Sequence, residues 1–195
     1  MPKDDALRWN SRYLDDERYS TFAQPRAFLV KNAHFLPPKG LALDVAMGLG
    51  GNAGFLLSRG LRVVGVDISS VAVHQASKRF AGLMAVVADL ANYYLPPETF
   101  DVILNFYYLQ RDLWSQYQLA LRPGGILYIE TLTQEMLQLQ PNTDPAYLLA
   151  PGELRQAFAS WEILVYQEGW EESRGGRHHP VASLVARKPH TLIAR

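Results

Sequence analysis

No cysteine occurs anywhere in the 195 residues. That absence excludes a disulfide scaffold, a thiolate zinc site and a cysteine nucleophile. An excess of one charge is missing too: 19 Lys and Arg face 19 Asp and Glu. Without a global field, neither nucleic acid nor an anionic membrane is an expected partner. Long apolar runs are also lacking, because the most apolar stretch, 40–57, is interrupted by Asp44 and by glycines. It is no membrane span. The opening Met1-Pro2-Lys3-Asp4-Asp5 lacks the basic-then-apolar layout of a signal peptide. A soluble cytoplasmic protein is therefore expected. What is present is a 48% hydrophobic content, too high for a disordered chain, in a length that suits one domain with a sizeable core.

Apolar runs alternate with helical stretches from about residue 41. Strands are expected at Leu41–Ala46, Arg62–Val66, Met84–Ala88, Phe100–Phe106 and Ile126–Thr131. Helices are expected over Asn52–Arg59, from Ser69-Ser70 to Phe80, and over Asp112–Leu121, the last stopped by a Pro123-Gly124-Gly125 turn. Continuous apolar strands mean burial on both faces, hence a parallel sheet between helical layers. Two further runs, Trp161–Trp170 and Pro180–Arg187, leave no room between them for a crossover helix and so should pair antiparallel. The expected fold is an α/β, Rossmann-like three-layer sandwich, with a mostly parallel seven-stranded sheet closed by an antiparallel C-terminal hairpin. One domain is expected over 1–195, with an N-terminal helical segment over 1–38 and the core over 39–195.

Asp44-Val-Ala-Met-Gly48-Leu-Gly50-Gly51-Asn52 ends the first strand and opens a helix. Glycines let the backbone turn sharply and approach a ligand, and a helix N-terminus offers unpaired N–H groups. Asp67 ends the second strand, where a carboxylate can accept both hydroxyls of a ribose. A lone Gly-x-Gly is as often a plain tight turn. The strand before, the helix after and the acid at the next strand end together point to a nucleoside ligand. A dinucleotide is the poorer fit, since the next glycine after Gly50-Gly51 is Gly54, out of register for Gly-x-Gly-x-x-Gly. Asp44 in the strand also suits a ligand bearing an ammonium group better than a phosphate.

Leu43-Asp-Val-Ala-Met-Gly-Leu-Gly-Gly-Asn52 resembles motif I of class I S-adenosylmethionine-dependent methyltransferases. Its Gly-Gly-Asn ending is similar to the tellurite-resistance and thiopurine methyltransferase branch. Val64-Gly-Val-Asp-Ile-Ser69, Val87-Ala-Asp-Leu90, Phe100-Asp-Val-Ile-Leu-Asn-Phe106 and Leu121-Arg-Pro-Gly-Gly-Ile-Leu-Tyr-Ile-Glu130 resemble the second to fifth motifs, in order. Arg8-Trp-Asn-Ser-Arg-Tyr13 and Pro151-Gly-Glu-Leu154 are similar to that branch's N-terminal segment and late helix. One departure is Ala46, where the family's pattern carries a glycine. The resemblance implies S-adenosylmethionine as cofactor and S-adenosylhomocysteine as product. It implies that Asp44 and the loop Ala46, Met47, Gly48, Gly50, with Asn52, hold the methionine part. Asp67 would take the ribose, Ile68 and Leu90 the adenine ring, and Asp89 the adenine amino group. Asn105 and Phe106 would border the sulfonium.

Plainer readings stand beside these. Ile68 can be core, Asp89 a turn cap, and Asp101 reads as structural. Methyl transfer is an in-line displacement that positioning accelerates by up to ~7–11 kcal/mol, and a base is needed only for a protonated acceptor. The acceptor-side candidates are Tyr107, Arg111 and Tyr19. Tyr108 reads as packing, and Arg111 either as a carbonyl cap or as an anion site. The aromatic-rich stretch from Trp9 to Phe28 is either a lid or a packing helix. His178-His179 project to opposite sides of a strand, so no metal is expected. The basic residues of 173–195 read as solvated strand edges. A small-molecule methyl acceptor is the expected partner of a monomer or homodimer. The alternatives are a nicotinamide-dependent oxidoreductase, which would have a parallel last strand, and a non-catalytic S-adenosylmethionine-binding domain. Asp67→Ala is expected to weaken cofactor binding while the fold survives.

Overall fold

A computed structural model describes residues 2–15, 23–172 and 176–190. Seven strands form one sheet: β1 (Leu41–Val45), β2 (Arg62–Asp67), β3 (Met84–Val87), β4 (Phe100–Phe106), β5 (Leu121–Leu132), β6 (Glu162–Glu172) and β7 (His178–Arg187). Their order is β3-β2-β1-β4-β5-β7-β6. The first five in that order run parallel, and β7 pairs antiparallel with both β5 and β6. The α/β sheet with its antiparallel C-terminal hairpin is thus as expected, and a parallel last strand is not what the chain forms.

The helices are α1 (Pro2–Asp15), α2 (Ala27–Lys31), α3 (Gly51–Ser58), α4 (Ser70–Arg79), α5 (Asp112–Ala120) and α6 (Glu153–Ala157). Strand residues alternate between two cores, as the pleat requires. Leu43, Val45, Ile103, Leu127 and Ile129 meet Tyr117 of α5 and Leu154 of α6 on one face. Ala42, Val63, Val102, Leu104 and Tyr128 meet Ala53 and Leu56 of α3 and Phe28 and Leu29 of α2 on the other. Each large aliphatic side chain buried this way contributes roughly 1.5–3 kcal/mol. That two-sided demand is why the strands read as unbroken apolar runs.

Two sequence expectations need correction. Pro123-Gly124-Gly125 does not end a helix in a free turn, because β5 already begins at Leu121, opposite Phe100. The next pair is Val102 with Ile126, so these residues form a bulge, held by Gly124 N–H donating to the Lys188 carbonyl at 2.9 Å. Nor is Lys188 a solvated edge residue. It is buried, and its Nζ donates to the Leu121 carbonyl at 2.6 Å.

The chain reverses direction of winding between β1 and β4, which are adjacent although β2 and β3 intervene in sequence. Ligands of open α/β sheets bind in the crevice outside the carboxyl ends at such a switch point. Here that edge is formed by Val45 and Asn105, which pair in register.

Candidate functional site

The loop after β1 winds through left-handed backbone. Ala46, Gly48 and Gly50 have φ of 51°, 55° and 75°. Glycine adopts such angles freely, whereas Ala46 carries strain of roughly 1–2 kcal/mol. The loop is held down by hydrogen bonds: Met47 N–H donates to the Val66 carbonyl (3.0 Å), and Gly48 N–H to Asp67 Oδ2 (2.8 Å). Asp67 Oδ1 accepts from Ser69 N–H at 2.8 Å. This buried carboxylate therefore ties the glycine loop to the turn that opens α4, where Ser69 Oγ accepts from Ala72 N–H. Burial raises its pKa, and the Ser69 and Gly48 N–H groups oppose the shift.

Asp44 is 1% exposed. The Ala53 N–H in the first turn of α3 donates to its carboxylate, yet Oδ2 has no partner. Burial pushes its pKa up to about 8; the charge of Asp67 adds to this, while the Ala53 N–H and Arg26 oppose it. A buried carboxylate oxygen without a donor is costly, on the order of 1–3 kcal/mol or more. It marks a place where a donor is missing, and the ammonium of a methionine-like group fits that need. Asp67 at the neighbouring strand end has no such vacancy, since both its oxygens accept backbone N–H groups.

The other expected site residues divide. Ile68 is half-buried and lies outside all three core clusters, as a residue reserved for a ligand would. Phe106 is buried in the same core as Ala42 and Leu104, on the sheet face that carries Asp44. Asn105 faces the opposite side: its Nδ2 donates to the Tyr117 hydroxyl at 3.0 Å, and its Oδ1 is buried without a partner. Met47 places its side chain in a small core with Val73 and Ala76 of α4, passing over Gly65, where a Cβ would lie 2.1 Å from its Sδ. Leu90 is buried in the first core. Asp89 caps a short 3-10 turn, with Oδ1 accepting from Ala91 N–H and Oδ2 from Asn92 Nδ2, both at 3.0 Å. Asn52 spends its Oδ1 on the backbone N–H of Arg26, at 2.8 Å.

Of the acceptor-side candidates, Tyr19 lies outside the described residues. Arg111 is not an open anion site. Its guanidinium pairs with Glu153 and donates to the carbonyls of Ala146 and Leu148 at 2.9 and 3.0 Å. It fastens the connection between β5 and α6. Arg111→Ala is expected to speed amide exchange across residues 146–153 by tenfold or more, with little change elsewhere, as read by hydrogen–deuterium exchange. Tyr107 follows β4, with a strained φ of 57° and its N–H donating to the Glu130 carbonyl at 2.7 Å. Its hydroxyl donates to the Glu130 carboxylate, which also accepts from Ser183 Oγ at 2.9 Å. Burial raises the pKa of Glu130, while Ser183 and Arg26 oppose the shift.

Arg26 is the residue that sequence reasoning missed. Its guanidinium rests over the Tyr107 ring, 4.0 Å from the centroid, within electrostatic reach of Glu130, Tyr13 and Asp44. No local pattern in Gln24-Pro25-Arg26 signals this, because the partners come from β1, β5, α1 and the turn after β4. The same segment seats on the glycine loop. A Cβ on Gly51 would lie 2.2 Å from the Gln24 carbonyl oxygen, and one on Gly48 2.7 Å from the Tyr13 hydroxyl. The helix α1 that carries Tyr13 is anchored by Asn10, whose Oδ1 accepts from Ser69 Oγ at 2.7 Å.

A glycine loop, an acid at each of two strand ends and a C-terminal antiparallel hairpin are now in place. Residues 42–125 match the family described as a methyltransferase domain. That stretch of the chain is thus similar to a methyltransferase domain. A probable S-adenosylmethionine-dependent methyltransferase of Mycolicibacterium smegmatis is 30% identical over 95 residues, which cover 46% of this chain and 37% of that protein. The match therefore spans little more than a third of the curated relative. An S-adenosylmethionine-dependent methyltransferase of Methanosarcina mazei has the same fold, with a TM-score of 0.69 at 19% identity, over 85% of this chain and 99% of that one. TehB of Haemophilus influenzae also shares it, with a TM-score of 0.69 at 18% identity, over 92% and 67% of the two chains. TehB is one of many solved structures similar to this fold, so the likeness singles out no branch. Among the described residues, no three His, Cys, Asp or Glu side chains come together as metal ligands, and no helix is long and apolar enough to cross a membrane.

Proposed function

We propose that this chain transfers a methyl group from S-adenosylmethionine to a small-molecule acceptor. The observation that carries this reading is the buried, donor-less Oδ2 of Asp44 beneath the glycine loop. Asp44 would take the ammonium of the methionine part, Asp67 the ribose hydroxyls and Ile68 the adenine face. Asp89 and Leu90 would meet the adenine edge, and Phe106 and Tyr107 would border the sulfonium. S-adenosylmethionine supplies a methyl group on a cationic sulfur that departs as S-adenosylhomocysteine when an acceptor attacks in line. The protein's part is to align and to exclude water, which suits Tyr107 and Phe106 because aromatic faces favour a cation. Within the methyltransferases, the branch we favour is the tellurite-resistance and thiopurine one. Its support is Gly50-Gly51-Asn52 and Arg8-Trp9-Asn10, of which Asn52 and Asn10 both fasten the N-terminal segment.

Calorimetric titration with S-adenosylmethionine and S-adenosylhomocysteine tests the reading, and no binding at millimolar ligand would overturn it. The segment 23–26 and α1 act as a lid in this account. Gly51→Ala adds a methyl that collides with the Gln24 backbone but suits the helix. Thermal stability is expected to fall, because the backbone of the segment must shift, while S-adenosylhomocysteine affinity drops tenfold or more. Unchanged affinity would show that the segment takes no part in binding.

A further inference from the structure

Asp44, Asp67 and Glu130 gather near the carboxyl ends of β1, β2 and β5, and the opposite edge of the sheet has the opposite charge. Lys39 precedes β1 and Arg62 opens β2. Arg59 caps the carboxyl end of α3, and Lys78 and Arg79 stand in the last turn of α4, so all five come to the edge where β1 and β2 begin. Contacts hold these parts side by side. Arg62 N–H donates to the Gly40 carbonyl at 3.0 Å, and a Cβ on Gly60 would lie 3.5 Å from the Pro38 carbonyl oxygen. One on Gly82, just after α4, would lie 4.0 Å from the Leu57 side chain of α3. All five residues are exposed, and none pairs with a carboxylate among the described residues. Two acids of this edge, Asp101 and Glu162, are already engaged by Arg122 and Arg187, at 2.9 and 2.8 Å. A chain of zero net charge thus holds a positive field on one side. Helix ends account for three of the cations, since a positive side chain there complements the terminal carbonyls. Lys39 and Arg62 stand at strand starts, where no comparable dipole acts.

Beside these charges runs a groove of about 390 Å³, walled by Leu36, Pro37, Pro38, Ser58 and Arg59. Its walls are mostly apolar, and the two prolines bring no N–H donor. No aromatic ring is among the described residues that line it, so a nucleobase has nothing there to stack on. Carboxylates suit the arginines, whose planar fork takes both oxygens of one group. An apolar side chain suits the groove.

We propose that this edge of the sheet docks an acidic polypeptide segment, with its carboxylates on the five cations and one apolar side chain in the groove beside Arg59. The surface lies across the sheet from Asp44 and Asp67, so the partner leaves that crevice open whatever the chain binds there. Exposed ion pairs are individually weak. Affinity therefore comes from the array and falls steeply with salt.

Fluorescence anisotropy with three labelled probes tests this: a peptide of ten glutamates, the same peptide with a leucine at its centre, and a DNA strand of ten phosphates. The leucine peptide is expected to bind most tightly, with micromolar affinity that weakens tenfold or more between about 50 and about 200 mM salt. Arg59→Glu combined with Arg62→Glu should weaken it by a further tenfold or more at the lower salt. Lys39→Glu with Lys78→Glu, at two exposed positions, repeats the charge test if the arginine pair fails to fold. Failure of both peptides to bind at the lower salt overturns the proposal, and so does a charge-reversed variant that binds as tightly as wild type. Tighter binding of the DNA strand would make the surface a nucleic-acid site and overturn it as well. Equal affinity of the wild type for the two peptides would take the groove out of the docking site, and overturn it too.

Discussion

Asp67→Ala is expected to lower the stability of the fold by about 2–6 kcal/mol as well as to abolish binding of S-adenosylhomocysteine. The reason is that Asp67 serves the chain before it serves any ligand. Its two oxygens accept from Gly48 N–H and Ser69 N–H, and alanine would leave both donors without that acceptor in a buried site, at roughly 1–3 kcal/mol each. Relief of the carboxylate's own burial, which raises its pKa, offsets part of the loss and favours the lower end of the range. The fold is still expected to survive this change, at a lower stability. Urea unfolding read alongside ligand titration separates the two effects. Asp67→Asn retains one acceptor oxygen and should lose less stability than alanine, while still losing much of the affinity. An alanine variant as stable as wild type would show that the loop does not depend on these bonds.

Asp44→Asn is expected to act in the opposite direction on stability. The folded-state pKa of Asp44 is raised to about 8 from an ordinary value near 3.8. The folded state thus holds a proton that the unfolded chain has already lost, so stability falls as pH rises between about 4 and 8. A rise of that size bounds the loss at roughly 5 kcal/mol by pH 8. Asparagine keeps an oxygen for the Ala53 N–H and removes the buried charge. The variant should therefore be more stable than wild type above pH 6, with a flatter stability profile from pH 4 to 8. It should also bind S-adenosylmethionine at least tenfold more weakly. In the wild type, an ammonium arriving at Asp44 favours its ionised form, so binding near pH 7 should release a proton. Calorimetry in buffers of different ionisation enthalpy reads that release directly. A variant with the wild-type pH slope would mean that Asp44 stays charged in the folded chain.

This opposition between stability and binding is what a binding site costs a fold. Asp44 and Asn105 each hold a buried oxygen without a partner, and Ala46 and Tyr107 each hold left-handed backbone. All four stand at or beside the switch-point ends of β1 and β4. The rest of the described molecule is dominated by paired polar groups and two-sided apolar packing.

The strands and their directions were legible in the chain because burial on both faces leaves unbroken apolar runs, and because a short connection forbids a parallel crossover. The glycine loop was legible because left-handed backbone and a close approach both demand glycine. Asp44 and Asp67 were legible because they stand at strand ends, where local order predicts position. Arg111, Asn52, Met47 and Asp89 were given ligand roles or candidate roles, but their side chains are engaged within the fold. For two of them the partner is hidden by sequence distance: Arg111 meets Glu153, 42 residues away, and Asn52 meets Arg26, 26 residues away. Arg26 itself carries no motif, because its environment is assembled from four separate parts of the chain. Local order in the chain determined the sheet, the glycine loop and the two acids. Tertiary packing alone decided which polar side chains are already satisfied, which buried oxygen still lacks a donor, and that a cation rests on the Tyr107 ring, since each depends on contacts made through space.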